Sequence, residues 1–127
     1  MMDEVDVVVP RNRVNDFVEF VHALREEIGI RIKSFGHAGD GNLHVYILRD
    51  DLSDEKWHEV VNAAMNRMYA KAKELHGQVS GEHGIGLVKQ PYLKESLPPT
   101  SLAIMRGVKK VFDPNNILNP GKICCAD

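Results

Sequence analysis

Two histidines flank a short turn-forming segment in the first half of the chain. His37 and His44 are seven positions apart in FGHAGDGNLH, with Gly, Asp and Asn between them. Imidazole nitrogens are common ligands of divalent metal ions. Two histidines at this spacing are a weak signal alone, because either one could be an ordinary core or surface side chain. A metal site therefore needs a further ligand elsewhere in the chain.

A second segment, SGEHGIG, offers Glu82 and His83 between glycines, which allow close approach. Two imidazoles and one carboxylate, with positions left open for water or substrate, resemble catalytic metal sites. Adjacent side chains diverge in an extended segment, so one ion is not expected to bind both residues. We predict that Glu82 is the ligand, which leaves His83 as a general base. The alternative is that both residues only cap a helix or stabilise a loop.

The dipeptide Asp40-Gly41 predicts a hairpin with a type I′ turn. That turn places His37 directly opposite His44 and Phe35 directly opposite Tyr46. Opposed residues of an antiparallel pair point to one face with β-carbons about 4.5–5.5 Å apart. The hairpin therefore brings the two imidazoles to one ion, with the aromatic side chains as a wall beside them.

Apolar periodicity predicts the order strand, helix, strand, strand, helix before the Glu82 segment. Residues 5–9 form a β-branched strand, and a helix follows from an N-cap at Asn12 to Gly29. A second helix begins at a Ser53 cap and ends before Gly77. Trp57 and the methionines of that helix are expected in the core, although a binding role for this stripe is an alternative.

The fold class that follows is α+β, with helices on one face of a small antiparallel sheet. It corresponds to a ferredoxin-like β-α-β-β-α core plus a C-terminal helix at about residues 101–112. The prolines at 91, 98 and 99 predict an irregular connection before that helix. Asp40 and Asn42 are explained by turn chemistry rather than by metal ligation. The length of 127 residues corresponds to one domain, residues 1–127.

Composition excludes several classes of protein. A net charge of −2 without a basic cluster predicts no binding to nucleic acid. No apolar stretch is long enough to span a membrane, and the acidic N-terminus does not resemble a secretion signal, so a cytoplasmic location is expected. Cys124 and Cys125 are adjacent, and a bridge between neighbours would strain the backbone, so both are predicted to be free thiols.

Three segments in this order and spacing resemble a known family. FGHAGDGNLHVYI, SGEHGIGLVKQPYL and FDPNNILNPGKI are similar to the C-terminal domain of FAD-linked 2-hydroxyacid dehydrogenases, such as the glycolate oxidase FAD subunit, D-lactate dehydrogenases and D-2-hydroxyglutarate dehydrogenase. The likeness extends over essentially the whole chain. In that family the domain follows an N-terminal FAD-binding domain of the vanillyl-alcohol-oxidase type and covers the flavin.

The resemblance implies a role for each site residue. His37 and His44 match the two metal-binding histidines of the family, Glu82 matches the acidic ligand, and His83 matches the base. Asn119 falls where the closing segment of the family returns toward the flavin, which implies a cofactor contact. The metal is divalent. Mixed nitrogen and oxygen ligands suit zinc, iron, manganese or cobalt, and we favour zinc on ligand type.

The chain departs from some relatives at two positions. Glu4 stands where some of them carry a basic residue that grips the substrate carboxylate, and Tyr46 stands where some carry a substrate-contacting Asn. The implied substrate is a small 2-hydroxy acid, and a long dicarboxylate is the least supported choice.

The implied reaction is oxidation of a 2-hydroxy acid to a 2-oxo acid, with hydride transfer to FAD. The 127 residues contain no flavin fingerprint, so we expect a fragment or a truncated gene product that is inactive without its FAD-binding domain. One alternative is a stand-alone module that binds a metal and a carboxylate. Another is an interaction subunit whose apolar surface pairs two copies as a homodimer.

Overall fold

The sheet has three antiparallel strands in the order β1-β3-β2, in a computed structural model that describes residues 1–124. These are β1 (Met2–Val8), β2 (Ile32–His37) and β3 (Asn42–Leu48). Alternate residues of each strand point to opposite faces. The residues of one face that are buried and apolar are Val5, Val7, Ile32, Leu43, Val45 and Ile47. The other face carries charged, aromatic and imidazole side chains.

Two helices cover the apolar face. α1 (Val14–Ile28) contacts β2, α2 (Asp54–Glu74) contacts β1, and the helices contact each other. Their buried side chains recur at helical spacing and include Phe17, Val21, Leu24, Trp57, Val61, Met65 and Met68. The predicted α+β class and the β-α-β-β-α order are confirmed. Trp57 and two of the methionines of α2 lie in the core, as expected.

The two long helices begin in different ways. The Ser53 hydroxyl accepts a hydrogen bond from the backbone N–H of Lys56 at 3.3 Å, which confirms the predicted cap of α2. The Asn12 cap is wrong, because Arg13 is the N-cap residue of α1 and has no side-chain cap. A short 3-10 turn precedes this helix, and the Pro10 carbonyl accepts from the Arg13 N–H at 2.7 Å. The backbone N–H of Arg13, the N-cap residue of α1, thus has an acceptor without the Asn12 side chain.

The end of α2 is a Schellman motif formed around a histidine. His76 has a φ of 62°, in the left-handed region. The N–H of His76 donates to the Lys73 carbonyl at 2.9 Å, and the N–H of Gly77 donates to the Ala72 carbonyl at 2.7 Å. Gly77 has a separate role, since a β-carbon there would collide with the Val8 carbonyl oxygen. The helix therefore ends near the predicted position, but His76 takes the left-handed conformation.

The chain divides into two units, and the second begins at Gly84. It contains α3 (Gln90–Ser96) and α4 (Pro99–Phe112). α4 was expected, but the irregular connection predicted from the prolines is wrong for Gln90–Ser96. Proline lies in the first turn of both helices, where no intrahelical N–H bond is lost, so these prolines begin helices rather than interrupt them.

Three further sequence-based expectations concern membrane spans, cysteines and domain count. Within residues 1–124, no helix is both long enough and apolar enough to cross a membrane. Cys124 is buried and is not in a disulfide within this range, as predicted, while Cys125 lies outside the described residues. The assignment of residues 1–127 to a single domain stays a prediction.

Candidate metal centre

The hairpin that carries the two histidines has a different register from the predicted one. His37 pairs with Asn42, and Phe35 pairs with His44. Residues 38–41 form a longer turn, in which the N–H groups of Asp40 and Gly41 both donate to the His37 carbonyl, at 2.9 and 3.0 Å. A type I′ turn needs positive φ at both central residues, and only the glycine of this pair has it, at 75°. The direct pairing of His37 with His44 and of Phe35 with Tyr46 is therefore wrong.

The two histidines nevertheless share a face of the sheet. A shift of two residues preserves the direction of every side chain, whereas a shift of one would reverse it. His37 and His44 are consequently diagonal neighbours, with ring centroids 6.2 Å apart and ring planes at 88°. Phe35 and Tyr46 lie on the same face and stack at 5.3 Å between centroids. The predicted aromatic wall beside the imidazoles is present in this register.

The segment that carries Glu82 is brought to this face by a short bridge at the end of β1. The N–H of Gln78 donates to the Val8 carbonyl at 2.8 Å, and the Val8 N–H donates to the Gln78 carbonyl at 3.2 Å. The chain leaving α2 thus runs beside β1. Gly77 permits this approach, because its missing β-carbon leaves room for the Val8 carbonyl.

Asp6 holds the following residues in place. Its carboxylate is fully buried and accepts from the Ser80 hydroxyl at 2.8 Å. It also accepts three backbone N–H groups, from Gly81 at 3.0 Å, Glu82 at 3.3 Å and His83 at 2.9 Å. Buried carboxylates require such donors to offset their desolvation. The loop conformation that presents Glu82 and His83 is therefore fixed by a single side chain of β1.

His37, His44 and Glu82 converge as predicted. Each offers one ligand atom, and the three atoms lie within 4.8 Å of one another. His44 Nε2 is 3.0 Å from Glu82 Oε1. Divalent ions bind nitrogen and oxygen ligands at about 2.0–2.2 Å, so ligands of one ion lie at most about 4.4 Å apart, and side-chain movements of a few tenths of an ångström bring the three atoms within that limit. His44 is buried while the other two are exposed, which leaves the outer side of the cluster open to water or substrate.

His83 lies beside this cluster, next to an acidic residue that the sequence did not single out as a site residue. Its ring stacks on the His44 ring, with centroids 4.8 Å apart and planes at 28°. Its Nδ1 is 3.2 Å from Glu4 Oε1, and its Nε2 is 3.7 Å from Glu82 Oε1, too far for a hydrogen bond. Glu4 Oε1 is also 3.0 Å from His44 Nδ1. Glu4, His44 and His83 form a second group with ligand atoms within 4.8 Å of one another.

Tyr46 completes the surroundings of Glu4. Burial raises the pKa of the Tyr46 phenol, and the adjacent negative charge of Glu4, which accepts a hydrogen bond from it, raises that pKa further. The phenol therefore remains a hydrogen-bond donor at neutral pH.

Asn42 is a strand residue rather than a turn residue. It begins β3, is 6% exposed, and places its side-chain oxygen where a β-carbon on Gly81 would collide with it. Turn chemistry therefore does not explain Asn42. Its side chain packs closely against Gly81, the glycine that precedes Glu82.

Asn119 lies in the second unit, in the segment after α4, with a φ of 48°. It is one of the residues that line a mainly apolar groove of about 410 Å³, together with Ile104, Met105, Val108, Lys109 and Leu118. Its predicted cofactor contact stays a prediction.

Sequence reasoning missed Glu4 and Asp6 as site residues. A usable signal was present, because Asp6 interrupts the apolar run VDVVVP and a charge inside such a run needs partners. Glu4 is two residues earlier on the same strand, so it shares the face of Asp6. The partners of both residues come from segments distant in sequence, which periodicity does not identify.

A family model described as FAD linked oxidases, C-terminal domain, matches residues 1–123. The chain therefore belongs to the family of C-terminal domains of FAD-linked oxidases. The resemblance noted from the three sequence segments is confirmed.

Similar proteins agree with this assignment. A D-lactate dehydrogenase of Anaerostipes hadrus is 53% identical over 98% of the chain and 26% of that protein. Glycolate oxidase subunit GlcD of Bacillus subtilis is 40% identical over 96% of the chain and 26% of that protein. A D-2-hydroxyglutarate dehydrogenase of Stutzerimonas stutzeri is 39% identical over 95% of the chain and 27% of that protein. The chain thus spans about a quarter of the length of these relatives.

Proposed function

We propose that the chain is the metal- and substrate-binding C-terminal domain of an FAD-dependent 2-hydroxyacid dehydrogenase or oxidase. The convergence of His37, His44 and Glu82 beside His83 carries the proposal. The names of the relatives support the substrate class, a small 2-hydroxy acid such as D-lactate or glycolate. The partner is an FAD-binding domain in the part of the relatives that the chain does not match.

The donor set fits a divalent ion, because a buried imidazole, an exposed imidazole and an exposed carboxylate surround a space open on one side. His37, His44 and Glu82 would hold it, and zinc is our expectation. When bound, the ion supplies positive charge for the carboxylate and hydroxyl oxygens of the substrate. FAD supplies the two-electron acceptor.

His83 is the general base in this proposal. Its ring is fixed by stacking on His44, its side chain is 46% exposed, and its Nε2 has no hydrogen bond to Glu82. The Nε2 atom takes the proton of the substrate hydroxyl as the α-hydrogen leaves with its electron pair. The aromatic pair, Phe35 and Tyr46, forms the apolar side of the same face.

Glu4 bears on the choice of substrate. Its carboxylate contacts both His44 and His83, where it places negative charge beside the base. A second carboxylate on the substrate would be repelled at this position. We therefore favour monocarboxylic 2-hydroxy acids over a long dicarboxylate.

A cytoplasmic location and the homodimer stay predictions, and light scattering tests the dimer.

The test is substitution of the base in the flavin-containing enzyme that carries this domain. His83→Ala should lower turnover of D-lactate or glycolate about 100- to 10,000-fold, because general-base catalysis has this magnitude. Zinc content should be unchanged, since His83 is not among the ligands. His58→Ala, an exposed histidine on α2, is the matched control and should retain full turnover. Unchanged turnover in His83→Ala would remove His83 from the mechanism.

A further inference from the structure

Glu4 connects two imidazoles through one oxygen atom. Its Oε1 is 3.0 Å from Nδ1 of His44 and 3.2 Å from Nδ1 of His83. The contact with His44 is a hydrogen bond, whereas the contact with His83 is an ion-pair distance, and both involve the Nδ1 atom of the ring. The sequence analysis considered Glu4 only as a departure from relatives with a basic residue there. Its contacts indicate a separate role within the site.

Hydrogen-bond chemistry determines which nitrogen of the His44 ring carries a proton. An ionised carboxylate only accepts, so in the hydrogen bond between Glu4 and His44 the ring donates from an Nδ1–H group. A neutral imidazole has one N–H group, and its other nitrogen then offers a lone pair. With Nδ1 protonated, the lone pair of His44 is on Nε2. The Nδ1 edges of both rings face Glu4.

The nearly parallel rings direct both Nε2 atoms to the same side. His44 and His83 stack with planes at 28°, and the Nε2 atom of each faces Glu82, at 3.0 Å for His44 and 3.7 Å for His83. Glu4 and Glu82 therefore lie at opposite edges of one imidazole stack. Nε2 of His44 points into the candidate metal site, and Nε2 of His83 is the atom assigned as base.

Glu4 is better placed than Glu82 to hold the ring proton of His44. Its side chain is 26% exposed, whereas that of Glu82 is 49% exposed, so water competes less for Glu4. Glu4 is also paired with Tyr46 across β1 and β3, so the two side chains lie side by side on one face of the sheet. A carboxylate that accepts a hydrogen bond from the non-ligating nitrogen of a metal-binding histidine orients the ring and sets its tautomer.

We infer that Glu4 is a positioning residue, which holds His44 as the Nδ1–H tautomer, keeps the Nδ1 edge of His83 on its own side, and so turns the Nε2 atoms of both rings to the metal and substrate side. The inference rests on the proposed function for its consequence, the positioning of one ligand and one base by a single carboxylate. The His44 tautomer itself is a property of the metal-free chain. The competing use of the same atoms is a cation held by Glu4, His44 and His83, which requires unprotonated Nδ1 atoms.

The experiment has two readouts on the 127-residue chain: ring tautomers from two-bond ¹H–¹⁵N correlation spectra of the zinc-free protein, and the dissociation constant for zinc from chelator competition. Wild-type protein should carry a proton on Nδ1 of His44. In Glu4→Ala, His44 should move its proton to Nε2, where Glu82 still accepts, and zinc should bind about 10- to 100-fold more weakly.

Two control variants accompany this test. Glu4→Gln keeps an accepting oxygen and should keep the Nδ1–H tautomer of His44. Glu55→Ala, which removes an exposed charge on α2, should match wild type.

The outcomes separate this inference from the proposed function. A wild-type His44 ring without a proton on Nδ1, or Glu4→Ala with an unchanged His44 tautomer, would overturn the role of Glu4 even if zinc binds tightly. Two zinc ions per chain would also overturn it, in favour of a cation at Glu4. The predicted His44 tautomer without zinc binding would support the role of Glu4 while contradicting the metal site.

Discussion

At the scale of single residues, Asp6 determines whether the site exists. Four hydrogen bonds converge on its buried carboxylate, and three of them come from consecutive backbone N–H groups of residues 81–83. The side chains of Glu82 and His83 also contact His44 and Glu4 on the sheet, but Asp6 is the side chain that binds their backbone. The positions of the proposed ligand Glu82 and of the proposed base thus depend on a residue outside the proposed ligand set.

We expect Asp6→Asn to lower the free energy of unfolding by about 2–4 kcal/mol, because an amide replaces a charged acceptor of several hydrogen bonds in a buried position. Chemical denaturation followed by circular dichroism measures the change. Asp3→Asn, on the same strand but exposed, is the control and should stay within about 0.5 kcal/mol of wild type. Equal losses in both variants would show that the Asp6 network does not stabilise the fold.

The sequence identified the proposed ligands and base that the structure brings together, but not the residues that position them. His37, His44, Glu82 and His83 were recognisable because their residue types and glycine neighbours indicate chemistry. Glu4 and Asp6 act through contacts with segments about 40 and 75 residues away. Such contacts depend on strand order and loop path, which local periodicity does not contain.

At the scale of elements, the hairpin shows why a wrong turn type left the site intact. The predicted two-residue turn and the observed four-residue turn differ by two residues of register. Side chains alternate with a period of two, so both registers place His37 and His44 on one face. An error of one residue would have separated them. The face of a strand is thus easier to predict than the pairing partner.

The end of α2 offers a test in which neighbouring residues respond in opposite directions. His76 adopts positive φ, which costs a non-glycine residue roughly 1 kcal/mol or more, so His76→Gly should raise the free energy of unfolding by about 1 kcal/mol. Gly77→Ala should lower it, since the new β-carbon meets the Val8 carbonyl. Thermal denaturation compares the two variants. Destabilisation by His76→Gly would contradict the Schellman assignment.

The segment after α4 should respond to acid through Asp113. The Lys109 ammonium lowers the pKa of this carboxyl below its usual 3.8, and the N–H groups of Ile117 and Leu118 lower it further. A lowered folded-state pKa means that the stabilisation is present above the unfolded-state value and is lost as the pH falls through the folded-state value.

The amide signals of Ile117 and Leu118, which donate to Asp113 at 2.9 Å, should therefore keep their neutral-pH positions down to pH 4 and shift only at lower pH. NMR titration measures the midpoint. In Asp113→Asn this acid transition should be absent. A midpoint above 4 in the wild type would contradict the ion pair with Lys109.

Secondary structure was predictable where apolar periodicity was long. α1, α2 and the three strands follow from their spacing, and α4 was expected within two residues of its observed bounds. α3 has seven residues and begins Gln-Pro, so its proline suggested a break, although proline fits the first turn of a helix. Short helices whose packing partners are distant in sequence leave too few periodic positions to identify.

At the scale of the whole molecule, the chain corresponds to one part of longer relatives. It belongs to the C-terminal domains of FAD-linked oxidases and spans about 26% of its D-lactate dehydrogenase and glycolate oxidase relatives. The site faces outward on the polar side of the sheet, with His37, Glu82 and His83 exposed. An exposed base and an exposed metal ligand are consistent with a surface that another domain completes.

The purified 127-residue chain should accordingly be colourless, without flavin absorbance between about 350 and 500 nm, and inactive toward D-lactate or glycolate with an artificial electron acceptor. The physical reason is that its candidate site offers acid-base and metal-binding groups but no electron acceptor. Absorbance spectroscopy and a dye-reduction assay check this. A yellow preparation that turns over would show the domain assignment to be wrong.

Zinc content tests the central claim, that His37, His44 and Glu82 form one metal site, most directly. The 127-residue chain is saturated with zinc, freed of unbound metal and measured by elemental analysis, in parallel with His37→Ala and the exposed control His58→Ala. The account predicts about one zinc ion per chain in wild type and His58→Ala, and a large loss in His37→Ala because one of three ligands is removed. Equal zinc in wild type and His37→Ala would contradict it.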